Sequence, residues 1–118
     1  MKISESELQI MRLIWHNPSP VSAAWLMSML SEKQWKQTTL LTFLARLADK
    51  GAVNVTKLGR TNLYAAAISA EQYKAQETEQ FVRQIHGGSV KSLFAALAAA
   101  EQLSASDAEE LRRLLDGR

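Results

Sequence analysis

Apolar residues recur at helical spacing through the first half of the chain, then switch to alternation, then return to helical spacing. Leu8, Met11 and Trp15 stand at i, i+3 and i+7 with Ile14 beside them, which predicts an amphipathic helix. Ser4 followed by Glu7 fits a capping box at its start. Asn17-Pro18-Ser19-Pro20 ends it, because proline lacks an amide hydrogen and restricts the residue before it. A second helix starts with Ser22 as N-cap. Leu26, Met29 and Leu30 form its expected buried stripe with Trp25 nearby, and it fades over Ser31 to Lys33. Trp35-Lys36 reads as a short link with room for a single extended pairing. The third helix runs from about Thr38 to Lys50, with Leu40, Phe43, Leu44 and Leu47 as its core face. Gly51 follows as a left-handed stop.

The period then becomes two. Ala52 to Thr56 alternates apolar and polar, Lys57-Leu58-Gly59-Arg60 makes a turn, and Thr61 to Ala65 returns, which predicts a β-hairpin. After Ile68, Ser69 can cap a helix reaching about Ile85, and His86-Gly87-Gly88 breaks it. Ser89 can cap the next, whose stripe is Val90, Leu93, Phe94 and Leu97. Leu103-Ser104 separates it from a last helix over about Ala105 to Asp116, where Ala108, Leu111, Leu114 and Leu115 share a face. The expected fold class is mainly α with a small β-hairpin: a winged helix-turn-helix over 1–68 and a C-terminal helical dimerisation region over 69–118. Helices this short need a surface to pack on. About fifty residues do not easily build an independent core, and a symmetric dimer buries both copies.

Charge adds a division of labour. Residues 1–68 carry eight Lys/Arg and four acids, a net +4, while residues 69–118 carry six and eight, a net −2. The basic half suits a polyanion, since neutralised phosphates are the usual source of nonspecific nucleic-acid affinity. On the third helix, Thr38, Thr42 and Arg46 are spaced by four and lie one above another, opposite the leucines and next to Thr39. Threonine can contact phosphate, base edges or a thymine methyl, and arginine can bridge guanine O6 and N7. Gln37 and Lys36 lead into this face, and Lys57 and Arg60 carry cations at the hairpin turn. The candidate DNA-binding residues are therefore Thr38, Thr39, Thr42, Arg46, Lys57, Arg60, Gln37 and Lys36. The candidate dimerisation residues are Phe81, Ile85, Val90, Leu93, Phe94, Leu97, Leu111, Leu114 and Leu115.

Each assignment has a plainer reading. The threonines can be a solvated helix face, Arg46 can pair with Asp49 or Glu7, and Lys57 and Arg60 can be ordinary turn charges. Trp15, Trp25 and Trp35 sit on or beside the apolar stripes and read as packing residues, not as a base-stacking platform. A winged helix that binds a protein partner without reading DNA is the alternative function.

Other chemistry is not expected. Without cysteine there are no disulfides, thiolate metal sites or cysteine nucleophiles. The two histidines, His16 and His86, lie far apart at helix ends, so no metal site and no cofactor are expected. Asp107, Glu109 and Glu110 read as a helix start and a solvated face, with no nucleophile and base converging on them. The longest near-apolar run, Leu93 to Ala100, falls far short of the roughly 20 residues that span a bilayer. No membrane insertion is expected. The polar start of the chain offers no signal peptide, so a cytoplasmic location is expected.

Several segments together carry a family resemblance: Ile3-Ser4-Glu5-Ser6-Glu7-Leu8 leading to Met11 and Ile14-Trp15; Thr39, Thr42 and Leu44 leading to Arg46-Leu47; Lys50-Gly51-Ala52; Lys57 to Arg60 followed by Tyr64; and Gln102-Leu103-Ser104. The chain resembles the penicillinase-repressor family of winged-helix transcriptional repressors. The resemblance implies a homodimer that binds a pseudo-palindromic operator in double-stranded DNA, in a beta-lactam-response or related stress operon, with intertwined C-terminal helices. It also implies release through a membrane sensor metalloprotease acting upstream, with cleavage in the dimerisation helices. In the best-known members the cleaved bond is Asn-Phe, and Ala96-Leu97 stands there in this chain. Copper-responsive members end in a cysteine-rich motif that this chain lacks.

Overall fold

The computed structural model describes residues 1–117. Its elements follow in the order α1 (Glu5–Trp15), β1 (Val21–Ser22), α2 (Ala23–Met29), α3 (Gln37–Asp49), β2 (Val53–Leu58), β3 (Thr61–Ala66), α4 (Ala70–Ile85), α5 (Val90–Ala99) and α6 (Ala105–Asp116), with a 3-10 turn at Ser31–Lys33. They form two compact units, Met1–Tyr73 and a second beginning at Lys74.

Local chemistry sets the helix ends. Ser4 Oγ accepts from the Glu7 amide at 3.2 Å while Glu7 Oε1 accepts from the Ser4 amide at 2.7 Å, a complete capping box. Ser104 and Asp107 repeat it at α6, and Ser69 and Gln72 make the same reciprocal pair before α4. At the end of α3, Gly51 takes φ +79°. The Ala52 amide donates to the Leu47 carbonyl at 2.9 Å and the Gly51 amide to Ala48 at 3.0 Å. This pair of bonds is a Schellman stop, which needs the left-handed residue that glycine supplies without a Cβ penalty.

The first unit buries one core: Ile3 just before α1, Ile10, Met11 and Ile14 from α1, Leu26 from α2, Leu40, Leu44 and Leu47 from α3, and Val21, Val53, Tyr64 and Ile68 around the sheet. The three leucines of α3 confirm its expected face, with Phe43 half-buried and in ring contact with Trp35 at 5.1 Å between centroids. The expected stripe of α1 is rotated: Leu8 and Trp15 are half-buried and Ile10 is fully buried. Trp15 packs at the edge instead, where its Nε1 donates to the Ile68 carbonyl at 2.8 Å and its ring meets Tyr73. In α2 only Leu26 is buried. Met29 is 53% exposed because the helix ends there and the chain turns away before a third turn can press it inward.

The sheet has the order β1-β3-β2, all antiparallel. Its edge strand is not the expected Trp35-Lys36 link. Val21 and Ser22 pair with Tyr64 and Leu63 instead. The proline-rich segment after α1 delivers Val21 into the core, and its backbone meets β3 there. Ser22 serves twice, closing this short pairing and capping α2 through a 3.1 Å bond from the Trp25 amide.

The last three helices begin directly after Ser69, Ser89 and Ser104, as expected; α4 ends before Gly87-Gly88, whereas after α5 the left-handed residue is Glu101, at φ +58°. No residue of α4, α5 or α6 is buried among the described residues. Among these residues no helix is long and apolar enough to cross a membrane.

Candidate nucleic-acid interface

The leucine face of α3 is held against the core, which fixes what the opposite face presents. Gln37, Thr38, Thr42 and Arg46 are exposed there, and Thr39 is half-buried on its flank. Lys36, exposed, is the N-cap and makes no side-chain cap bond; the Thr39 and Leu40 amides donate to its carbonyl at 3.0 and 3.2 Å, and only the amides before them are left open. Arg46 makes no ion pair among the described residues. Neither acid of the plainer reading holds it: no ion pair joins it to Asp49 among the described residues, and Glu7 accepts from Lys50 Nζ at 2.5 Å instead. Lys50 sits at the C-cap of α3, within reach of the start of α1, whereas Arg46 lies one turn back on the outer side. Arg46 is thereby left open to a ligand.

The Glu7 side chain is almost fully buried, and only Oε1 is hydrogen-bonded, to Lys50 and to the Ser4 amide. Burial pushes its carboxyl upward. The hydrogen bonds from Lys50 and Ser4, together with the Lys50 charge, outweigh that and hold it below the usual carboxylate value. A folded-state value below the unfolded one, about 4.3, means that Glu7 contributes stability above that pH. The contribution is lost as pH falls through the folded value. Urea midpoints measured from pH 7 to pH 3 should therefore fall for the wild type more steeply than for Glu7→Gln. Parallel curves would show that the pair does not couple folding to protonation.

The hairpin extends past the core. Val53 is buried, and every later residue of β2 is exposed. Lys57 lies within β2, not in the turn as expected, and pairs with Asn62. The connection is the two-residue loop Gly59-Arg60, with Gly59 at φ +64°, tighter than the four-residue turn that the sequence suggests. Positive φ at the first loop residue alone is the pattern of a type II′ turn, whose twist matches the strands. Cross-strand partners share a face, so Lys57 and Asn62 lie side by side and Arg60 occupies the tip. Sequence reasoning missed Asn62, the 70%-exposed Leu58 at the wing tip, and two apolar residues on the outer side of α3, Leu41 and Ala45. The signal for the last two was the helical period itself, continued from Thr38.

A helix with an exposed hydroxyl and cation face, backed by two helices and followed by a cationic hairpin, is the arrangement that enters a B-DNA major groove. The sequence profile of the penicillinase repressors matches residues 3–117. The chain belongs to the penicillinase repressor family. This family member is 29% identical to the penicillinase repressor of Bacillus licheniformis over 92 residues, 78% of this chain and 72% of the relative. It is 25% identical to the methicillin resistance regulatory protein MecI of Staphylococcus aureus (strain N315), over 78% of this chain and 75% of that one. Among solved structures, it resembles the DNA-binding domain of the repressor BlaI, with TM-score 0.55 and 36% identity over 61% of this chain and 88% of that one. It also resembles monomeric Bacillus licheniformis BlaI in complex with the blaP half-operator, with TM-score 0.53 and 35% identity over 62% and 89%. The likeness establishes the winged-helix fold.

Proposed function

We propose that this chain is a transcriptional repressor that binds double-stranded operator DNA through α3 and the β2–β3 wing, without catalytic activity. The observation that carries the reading is the exposed Gln37–Thr38–Thr42–Arg46 face beside the cationic hairpin, in a chain similar to a repressor known in complex with a half-operator. Residues 1–68 read the DNA, and residues 69–118 hold two copies together, so that two half-sites of a pseudo-palindrome are engaged at once. Phe81, Ile85, Val90, Leu114 and Leu115 are exposed, and Leu93, Phe94, Leu97 and Leu111 half-exposed, which supports their use against a second copy. The repressor acts in the cytoplasm, and an upstream membrane metalloprotease is the releasing partner in this reading. A gene for such a protease beside this one would support that step.

Titration against a selected operator at two salt concentrations tests the core of the proposal. Arg46→Ala should weaken specific binding by about 1–3 kcal/mol and relax selection at one position, the signature of a base contact. Lys57→Ala should weaken binding to every sequence alike and lower the salt slope by about one unit, the signature of one phosphate. Failure to enrich any sequence from a random duplex library would refute the repressor reading.

A further inference from the structure

The outer side of α3 is more apolar than phosphate contact requires. At about 100° per residue, Ala45 falls beside Thr38 and Thr42, away from Leu40, Leu44 and Leu47, while Leu41 sits on the border, about 60° from Thr38 on one side and about 60° from the buried Leu44 on the other. Leu41 is 39% exposed, and Ala45 is exposed. Thr42 belongs to the same patch for a less obvious reason. Its Oγ1 lies 2.9 Å from the Thr38 carbonyl oxygen. A carbonyl only accepts, so the hydroxyl proton is committed to the helix backbone. Thr42 therefore has no donor left for a base. What it retains for a ligand is its γ-methyl group and an acceptor lone pair.

Resting on the repressor reading above, we propose that Leu41, the Thr42 methyl and Ala45 form an apolar patch that recognises thymine C5-methyl groups in the major groove. The patch thereby selects T over C beneath the middle of α3. The thymine methyl is the one apolar group that a base edge displays in that groove, and cytosine lacks it. Charge complementarity favours DNA over an apolar protein surface as the occupant. The patch is small and lies between the exposed cations Lys36 and Arg46. Asp49, on the same side, is about 16 Å along the helix from Thr38. It is the last residue of α3, one turn beyond Ala45 and about 6 Å from it along the axis, so the cations outnumber the acid around the patch but do not exclude it.

The test modifies the DNA first and the protein second. A duplex is selected from a random library with the full chain, and its thymines are then replaced by uracil one at a time. Uracil keeps every hydrogen-bonding edge and removes only the C5 methyl. One or more positions should lose affinity by about fourfold, the ratio that about 0.8 kcal/mol of methyl burial corresponds to at 25 °C. Leu41→Ala should shrink the uracil effect at one of these positions and leave the salt slope unchanged. Sequence selection that is indifferent to uracil everywhere overturns the methyl-reading patch and leaves the repressor reading standing. Absence of any selected sequence overturns both.

Discussion

With Leu114 and Leu115 both replaced by glutamate, the chain should sediment as a monomer and bind a full operator about 10²–10⁴-fold more weakly than the wild type. The two leucines are 68% and 62% exposed at the end of α6, so the substitutions remove little packing within the chain. Both lie on α6, which like α4 and α5 has no buried residue among the described residues, although α5 is almost wholly apolar. Apolar surface of this kind, left in water, marks an interaction site. A symmetric dimer covers it on both copies and makes the second half-site contact intramolecular. Two negative charges per copy at that seam oppose association. The thermal transition of the first unit should stay where it is. A wild type that is monomeric yet binds the full operator tightly would remove the basis for this expectation, and so would a variant that stays dimeric.

The second large effect lies inside the reading domain. Leu44→Ala should destabilise the fold by about 2–5 kcal/mol, the range for emptying a fully buried leucine site. Leu44 has no exposed surface and packs with Leu40 and Leu47 against α1 and α2. Total stabilities of domains this size are about 5–15 kcal/mol, so the loss is a large fraction of the whole. At a urea dependence of about 1–3 kcal/mol per molar, the midpoint should drop by about 0.7 M or more. Thr38→Ala, on the opposite face of the same helix, should change stability by less than about 0.5 kcal/mol while weakening DNA binding. Equal effects from both substitutions would mean that α3 is not held by its leucine face.

Element boundaries were legible because they depend on neighbours within a few residues. Ser4 and Glu7, Ser104 and Asp107, and Gly51 after Lys50 act through bonds that close over three to five positions. Faces were legible only in the middle of each stripe. Period alone gives the direction of a helix face, but packing sets its rotation. Residues at the stripe edge, such as Leu8, Trp15 and Met29, therefore moved outward while Ile10 moved in. The exposed face of α3 proposed to read DNA was expected from its threonines and Arg46. Its apolar members, Leu41 and Ala45, resemble core residues until the core is seen to be full without them.

The sequence by itself determined the helix starts and stops, the hairpin, the leucine face of α3 and the cations that flank its outer face, all of which follow from local bonding and periodicity. Only the tertiary structure decided which partners meet across the fold. It paired Val21–Ser22 with β3 and placed Lys57 opposite Asn62. It also gave Glu7 to Lys50, leaving Arg46 open. These are contacts between residues distant in sequence, chosen by which backbones and charges the packed core brings within reach, and no local pattern encodes that choice.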